Sequence, residues 1–141
     1  MIPGLALINL NEFPDQNWVE EKELAFLEAD QRNYHYIISH NFEPVGYVHI
    51  DTVEIFDFLQ GTEPEIYNNA IYLAYIELYE KGILRDSIEL IKSYFGVKYI
   101  CAESSDETLD IWEHIGAVYF KDSNGQYITY EHRSEQHPFV I

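Results

Sequence analysis

Apolar and polar residues form their clearest pattern between Ala70 and Ala117. An apolar segment at 70–76 predicts a strand, and after a short loop the apolar positions follow the three- and four-residue spacing of one helix face. These positions are Leu84, Ile88, Ile91 and Phe95. A β-branched run at 97–102 and a second helix follow, and Gly116 ends that helix because it tolerates a left-handed conformation. The βαβα order favours two parallel strands joined by a right-handed crossover.

The second helix is predicted to begin at Ser104-Ser-Asp-Glu107. A serine cap can accept a hydrogen bond from a backbone N–H of the first turn, and a glutamate three residues later can accept one from the serine's own N–H. Ligands of such units bind at the carboxyl ends of the strands and at the helix N-termini facing them. We therefore expect a ligand near the loop at 79–84.

The amino-terminal half is predicted to contribute a strand, a helix and a hairpin. Residues 5–10 form an edge strand, and Asp15 caps a helix whose apolar residues are imperfectly spaced. Those residues are Trp18, Leu24, Phe26 and Leu27. From Tyr34 the period changes to two, so that residues 34–40 and 45–51 form antiparallel strands around a short turn.

The signal is weaker in two other segments. Residues 53–59 are compatible with a bent strand or a helical turn, and such a segment often borders a site. Residues 117–120 and 126–131 flank an Asn-Gly pair that tolerates positive φ, which predicts a closing hairpin. Residues 132–141 give no clear signal. The length of 141 residues and hydrophobic content of 47% suit one core, so we expect a single domain spanning 1–141.

The chain is strongly acidic, with 25 Asp plus Glu against 8 Lys plus Arg and a formal net charge of -17. We expect no direct binding to nucleic acid, because no basic patch is present to release the counterions of its backbone. Two interpretations of the charge stay open. It either solvates the surface or binds a basic partner, such as a DNA-binding protein.

The lone cysteine, Cys101, cannot form an internal disulfide and indicates a reducing compartment. The start of the sequence lacks the basic flank and apolar core of a signal peptide, and no apolar run has the length of a membrane span. We therefore expect a cytoplasmic protein without a membrane segment.

The order of elements resembles the GNAT acyltransferase superfamily, from about Leu5 to Glu131. In that family the loop after the fourth strand carries a basic or amide residue, two spacers, Gly, one spacer and Gly or Ala, and its N–H groups hold the pyrophosphate of coenzyme A. The matching residues here are 79–84, Tyr-Glu-Lys-Gly-Ile-Leu, in which Tyr79 and Leu84 depart from the pattern. The resemblance implies an α/β fold with a mixed, mostly antiparallel sheet of six or seven strands and helices on both faces.

A second match is the helix that the family ends with a pattern like Leu-Tyr-Glu-Lys-Leu-Gly-Phe, which reads Ile-Trp-Glu-His-Ile-Gly-Ala at 111–117. Trp112 stands in the place of the tyrosine that often protonates the departing thiolate. An indole N–H has no useful acidity at neutral pH, so Trp112 cannot be that general acid. We predict that it is a core residue.

The resemblance implies an N-acyltransferase that uses acetyl-CoA and acts on an amine of a small molecule or peptide. Opposite charge would favour a cationic acceptor. Glu77, near the end of the central strand, is the first candidate for the general base, with Glu65 and Glu103 behind it. The candidate cofactor-binding residues are Ile76, Leu78, Lys81, Gly82, Ile83, Leu84, Arg85 and Ser105. The alternative is a GNAT-fold protein that has lost catalysis and binds a basic partner through its acidic surface.

No other motif points to a different chemistry. The six histidines include no pair at the i, i+4 spacing of a helical metal site, and one cysteine cannot build a cysteine-rich zinc site, so we expect no metal. His40 and His49 could face each other across the hairpin, and a pair of surface histidines is favoured over a pair of metal ligands. Cys101 is predicted to be a small buried side chain rather than a nucleophile.

Overall fold

The computed structural model describes residues 2–21, 34–51, 66, 68–127 and 136–141. The chain divides into two compact units. The first comprises Met1–Val53 and Leu73–Gly96, and the second comprises Glu54–Tyr72 and Val97–Ile141. The strand Ala70–Leu78 contributes residues to both units.

The first unit begins with strand β1 (Leu5–Asn9) and a 3₁₀ turn (Leu10–Glu12), which are followed by helix α1 (Gln16–Glu21). Asp15 caps this helix, because its Oδ1 accepts a hydrogen bond from the N–H of Trp18 at 3.1 Å. The predicted cap is therefore confirmed. The predicted helix residues Leu24, Phe26 and Leu27 lie outside the described part of the chain.

Strands β2 (His35–His40) and β3 (Glu43–Asp51) form the antiparallel hairpin that the alternating pattern predicts. The two turn residues, Asn41 and Phe42, have φ values of 51° and 73°, and such positive values match the twist of a hairpin. The N–H of Asn41 donates to the carbonyl of Gly4 at 3.1 Å, which ties the turn to the start of β1. Among the described strands β1 pairs only with β2, at the end of the sheet, so it is the edge strand predicted from the sequence.

Side chains of a strand point alternately to its two faces, and α1 covers one face of the first unit. Ile37 of β2 and Tyr47 of β3 share this face and form a buried cluster with residues of the 3₁₀ turn, the following loop and the helix. Those residues are Leu10, Phe13 and Val19. The amino-terminal segment is thus held by apolar burial against the sheet.

Helix α2 (Leu84–Phe95), which follows strand β4 (Ala70–Leu78), covers the opposite face. Tyr36, the neighbour of Ile37 in β2, packs its ring against Tyr94 and Phe95 with centroid distances of 5.5 Å and 5.4 Å. The prediction of helices on both faces is therefore confirmed for this unit.

The second unit contains strand β5 (Tyr99–Ser105), a 3₁₀ turn (Asp106–Thr108), helix α3 (Leu109–His114), and strands β6 (Val118–Tyr119) and β7 (Gln136–Val140). Strand β7 lies between β5 and β6 and pairs antiparallel with both. It lies in the segment 132–141, in which no pattern predicts an element.

Helical structure begins within the predicted start of the second helix, as the 3₁₀ turn at Asp106, but the predicted capping box is wrong. Strand β5 continues to Ser105, and neither Ser105 nor Thr108 makes a side-chain cap to the turn and helix that follow. Ser104 is buried, and its Oγ lies 2.7 Å from the hydroxyl of Tyr119. Ser104 therefore makes a hydrogen bond between strands and does not form the predicted capping box with Glu107.

The end of the second helix and the closing turn agree with the sequence. Gly116 follows α3 with φ of 109°, the left-handed conformation expected of a helix stop. In the turn, the N–H of Asp122 donates to the carbonyl of Gln126 at 2.8 Å, and Lys121 forms an antiparallel bridge with Tyr127. Residues 128–131 of the predicted hairpin lie outside the described part, as do residues 53–59.

The described residues form one seven-stranded sheet in the order β1-β2-β3-β4-β5-β7-β6. Three residue pairs join β4 to β5 in parallel, and the other ladders of known register are antiparallel. The parallel pairs are Ala70 with Tyr99, Ile71 with Ile100 and Tyr72 with Cys101. The mixed, mostly antiparallel α/β sheet is confirmed. The divergence of β4 from β5 and the single-domain organisation stay predictions.

Candidate active site

A glycine shapes the loop between β4 and α2. Gly82 has φ of 79°, which a residue with a Cβ rarely adopts. Apart from its chain neighbours, no described heavy atom lies within 4 Å of the position a Cβ would take there. The next residue, Ile83, is 1% exposed and anchors the loop in the core. The loop therefore presents its backbone at Gly82 to open space.

Helix α2 begins without a side-chain cap. Its N-cap residue is Ile83, and the N–H of Ser87 donates to the Ile83 carbonyl at 2.8 Å. The N–H groups of a first helical turn carry partial positive charge. Lys81 and Arg85 are exposed and add positive charge, whereas Asp86 in the first turn adds negative charge. An anion is therefore attracted here by the backbone and two cations and opposed by the carboxylates of Asp86 and of Glu80 in the loop.

The same loop is fixed to the β2–β3 hairpin. The N–H of Tyr79 donates to the carbonyl of Val45 at 2.8 Å. The Nδ1 atom of His40 lies 3.1 Å and 3.3 Å from the two carboxylate oxygens of Glu80. A backbone bond from β3 and a side chain at the end of β2 thus position the loop.

Glu77 is exposed near the end of β4, between Tyr75 of the same strand face and Tyr79, which directly follows the strand. The hydroxyls of Tyr75 and Tyr79 both donate to its Oε2, each at 3.4 Å. The two tyrosines are 51% and 39% exposed. Glu77 is thus an accessible carboxylate. A group that exchanges protons with a ligand must be accessible to that ligand.

The phenols around Glu77 have raised pKa values. Burial, followed by the negative charge of Glu77, raises the pKa of Tyr79 to about 12. The same two causes, in the same order, raise the pKa of Tyr75. Burial also raises the pKa of Tyr47, whose ring centroid lies 5.9 Å from that of Tyr75. These phenols are therefore neutral at physiological pH and act as hydrogen-bond donors.

Next to Tyr47, two histidines of the hairpin stack on one another. The rings of His35 and His49 lie 4.1 Å apart, and His35 also stacks on Tyr47 at 5.5 Å. The Nδ1 atom of His35 makes a short hydrogen bond with the Tyr47 hydroxyl. The pairing of His40 with His49 considered from the sequence is wrong, because His49 stands opposite His35 and His40 opposite Glu43.

Ile76 and Leu78 were predicted to bind the cofactor, and they alternate with Glu77 along β4. Their side chains therefore point to the other face of the strand, and both are half-buried. Leu78 lies so close to Gly46 that a Cβ on the glycine would be 2.7 Å from Leu78 Cδ2. Leu78 thus packs against β3 and can offer a ligand chiefly its backbone.

The structure brings every predicted cofactor-binding residue except Ser105 into the β4–α2 segment of the first unit. Ser105 ends β5 in the second unit, where its Oγ lies 3.4 Å from the Thr108 hydroxyl. Glu103, a reserve candidate for the base, is half-buried on β5, and Glu65 lies outside the described residues. The roles assigned to all these residues, including Glu77, stay predictions.

Two interpretations of single residues are confirmed in the second unit. Trp112 is 8% exposed and packs against Phe139 with ring centroids 4.8 Å apart. Cys101 is fully buried, and burial raises the pKa of its thiol to about 12. Trp112 is thus a core residue, and Cys101 stays a protonated, inaccessible thiol at neutral pH.

Sequence reasoning missed the tyrosines beside Glu77. The sequence pattern places Tyr79 in the loop, in the position of a basic or amide residue, and Tyr75 in an apolar strand segment. The spacing Tyr75, Glu77, Tyr79 was the available signal, since residues two apart in a strand share a face. The contact between His40 and Glu80 had no such signal, because it joins segments distant in sequence.

Two further properties concern the described residues alone. No group of three or more His, Cys, Asp or Glu side chains among them is placed to hold a metal ion. No helix in this part of the chain has both the length and the apolar character needed to cross a bilayer.

The sequence matches no protein-family model and no curated protein, whereas the fold matches solved structures along nearly its whole length. An aminoglycoside N(6')-acetyltransferase from Legionella pneumophila has a TM-score of 0.61 at 15% identity, covering 100% of this chain and 93% of that one. Campylobacter jejuni N-acetyltransferase PseH in complex with acetyl coenzyme A has a TM-score of 0.59 at 12% identity, covering 97% of each chain.

A Salmonella typhimurium acetyltransferase that modifies the N-terminal serine of a 50S ribosomal subunit protein is also similar. Its TM-score is 0.54 at 12% identity, and the match covers 97% of this chain and 92% of that one. All three similar structures are acetyltransferases, and the two descriptions that name an acceptor differ: an aminoglycoside in one and a protein N-terminal serine in the other. This chain therefore has the fold of the GNAT N-acetyltransferases.

Proposed function

We propose that this protein is an acetyl-CoA-dependent N-acetyltransferase that acts on an amine of a small molecule or peptide. The observation that carries the proposal is the succession of an accessible carboxylate, an open glycine loop and an uncapped helix N-terminus. These are Glu77 on β4, Gly82 in the loop and the first turn of α2. The similarity to N-acetyltransferase structures supports the same function.

The loop and the start of α2 are the proposed binding site for the pyrophosphate of coenzyme A. Gly82 leaves the backbone uncovered, and the helix N-terminus offers N–H groups that no N-cap side chain accepts from. Lys81 and Arg85 supply positive charge close to these groups, and Ile83 and Leu84 supply backbone. The residues present therefore fit an anionic group. Lys81, Gly82 and Arg85 are exposed, which leaves the site open to a ligand from solvent.

Acetyl-CoA supplies a thioester whose carbonyl carbon the acceptor nitrogen attacks, so that a C–N bond forms, the C–S bond breaks and coenzyme A leaves as a thiol. Glu77 is the proposed general base, because its carboxylate can accept the proton that an ammonium must lose before its nitrogen can attack. The hydroxyls of Tyr75 and Tyr79 hold that carboxylate between them.

Protonation of the leaving thiolate is assigned to water in this proposal. Trp112 stands where the family often has a tyrosine, and its indole is both buried and without acidity at neutral pH. The chain thus depends on positioning and on backbone N–H groups more than on a dedicated acid.

A second function is binding of a basic partner without catalysis. Asp86 favours it, because a carboxylate in the first turn of α2 repels a pyrophosphate at the same place. Leu84, in the position of a small family residue, favours it as well. The net charge of -17 supplies the long-range attraction that such a partner would need.

Thermal unfolding with and without acetyl-CoA separates the two functions. A ligand that binds only the folded state stabilises it by about 2.7 kcal/mol at a hundred times its dissociation constant. S-Acetylpantetheine is the matched control, since it carries the thioester without the pyrophosphate and should stabilise the protein far less. Release of free thiol is then measured with polyamines, aminoglycosides and lysine-rich peptides. No stabilisation by acetyl-CoA would reject the transferase and favour the partner-binding function.

A further inference from the structure

Tyr75 and Glu77 of β4 form a small cage with Tyr79, the residue that directly follows the strand. Residues i and i+4 of a strand lie about 13 Å apart along the chain, yet both phenol hydroxyls reach the same oxygen of the residue between them, at 3.4 Å. The two rings therefore lean toward each other over Glu77. All three side chains remain accessible, with Tyr75 51% and Tyr79 39% exposed.

The carboxylate of this cage has no cationic partner among the described residues. Its two hydroxyl contacts are long for O–H···O bonds, which are strongest near 2.7 Å. An ionised carboxylate offers about four acceptor positions, so most of the capacity of Glu77 is left for a ligand. The cage thus combines one uncompensated negative charge with two aromatic rings.

Neighbouring rings hold the cage in place. The Tyr79 ring meets Trp18 edge-on with centroids 6.0 Å apart, and Trp18 in turn meets Phe13 at 5.8 Å. The Tyr75 ring lies 5.9 Å from that of Tyr47, which is buried. A binding site that is already ordered loses less entropy when its ligand arrives.

We propose that this cage binds the acceptor of the transferase and that the acceptor is a primary alkylammonium group, such as the end of a polyamine or of a lysine side chain. An ammonium has three N–H donors, which match the Glu77 carboxylate and the two phenol oxygens. Its charge is attracted by the faces of aromatic rings. This inference rests on the proposed function, and it narrows the acceptor to a substrate class.

The same contact positions the reacting nitrogen. An ammonium held at Glu77 has its N–H directed at the carboxylate, so the N–H bond can break and an O–H bond can form on Glu77. The nitrogen is left with its lone pair for the attack on the thioester. Tyr75 and Tyr79 touch the substrate in this arrangement and determine which amines are accepted.

The test is a titration of the full chain with cadaverine, followed through the backbone amide NMR signals of Glu77 and Tyr79 in the absence of coenzyme A. 1,5-Pentanediol is the neutral control of equal length. We expect Glu77→Gln to weaken cadaverine binding about tenfold, and Tyr75→Leu or Tyr79→Leu about threefold each. Tyr75→Phe keeps the ring and should lose less affinity for cadaverine than Tyr75→Leu.

Two variants elsewhere on the first unit serve as matched controls. Tyr94→Leu removes a tyrosine on α2 that is also 51% exposed. Glu89→Gln removes a carboxylate whose Oε1 lies 3.7 Å from Lys92 Nζ. Both should bind cadaverine as the wild type does. If Tyr75→Leu fails to fold, as its thermal unfolding would show, Tyr75→Phe and Glu77→Gln decide the question.

The outcomes separate this inference from the function on which it rests. Equal binding of the diol, or equal losses in Glu77→Gln and Glu89→Gln, would mean that the general acidic surface binds the amine, and the cage would be rejected. If acetyl-CoA stabilises the protein in that case, the transferase proposal survives without it. Cadaverine bound at the cage together with no stabilisation by acetyl-CoA would support the site and reject the transferase.

Discussion

Replacing Gly82 with aspartate is the sharpest test of where coenzyme A binds. The substitution places a negative charge at the point where the loop backbone is uncovered. Two unit charges about 4 Å apart interact by about 1 kcal/mol in water. A pyrophosphate with about two charges should therefore lose about 2 kcal/mol, or roughly 30-fold in affinity.

Backbone strain must be separated from charge in this experiment. Any residue with a Cβ at φ of 79° costs about 1–2 kcal/mol relative to glycine, although asparagine tolerates the conformation better than most. Gly82→Asn has nearly the same shape as Gly82→Asp without the charge. The difference in affinity between these two variants therefore measures the electrostatic effect alone.

Gly96, at the other end of α2, offers a matched control. It has φ of 66° and, like Gly82, has no described heavy atom near the position of a Cβ. Gly96→Asp should lower stability by an amount similar to Gly82→Asn or more, because an anion at a helix C-terminus is also unfavourable. It should leave the affinity for acetyl-CoA unchanged.

Calorimetric titration with acetyl-CoA gives the affinities, and urea unfolding gives the stabilities. We expect Gly82→Asp to lose more affinity than Lys81→Ala, which removes one charge on a flexible side chain. Equal affinities in Gly82→Asp, Gly82→Asn and the wild type would refute the placement of the pyrophosphate at this loop. If Gly96→Asp lost as much affinity for acetyl-CoA as Gly82→Asp, general destabilisation would explain the effect.

Three other predictions concern single residues. Phe42 is 93% exposed at φ of 73°, so Phe42→Gly should raise the free energy of unfolding in urea by about 1 kcal/mol. The pKa of Cys101 is raised to about 12. The contribution of the protonated thiol to the free energy of unfolding is therefore complete below about pH 9 and is lost as the pH rises toward 12. In urea unfolding, Cys101→Ala should lose less stability than the wild type over that pH range. Trp112→Phe should keep most thiol release, and Trp112→Tyr should create none in an inactive protein. Collapse of turnover in Trp112→Phe would reveal a specific role for the indole.

Local patterns predicted the first unit well because its elements are specified by nearby residues. The Asp15 cap depends on a residue three positions away, and the hairpin on strict alternation and a short turn. Helix α2 buries Ile88 and Ile91, the face that the spacing indicated. In each case one short segment contains the whole physical reason for the structure.

The second unit was harder to predict because its strands depend on distant partners. Ser104 has the sequence context of a helix cap, but it lies in a strand opposite His137 and bonds to Tyr119. Strand β7 includes Pro138, which cannot donate a backbone hydrogen bond. A proline in the sequence therefore argues against a strand that has neighbours on both sides. Only the pairing with β5 and β6 reveals its place.

The site was predicted in part for the same reason. The βαβ spacing located the loop and Glu77, since both belong to one continuous segment. The role of the two tyrosines is visible only in the structure, where both hydroxyls contact the same carboxylate oxygen of Glu77. Side-chain direction within a strand is predictable, but the lean of two rings toward a residue between them depends on the packing of Trp18 and Tyr47.

Charge acts differently at long and short range in this protein. The net charge of -17 attracts a cationic acceptor and repels the anionic coenzyme A. In the proposed function, local groups bind coenzyme A: backbone N–H groups with Lys81 and Arg85, against the opposition of Asp86. A transferase and a protein that binds a basic partner need the same acidic surface. The loop around Gly82 is the feature that separates them, because only the transferase requires an anion to be held there.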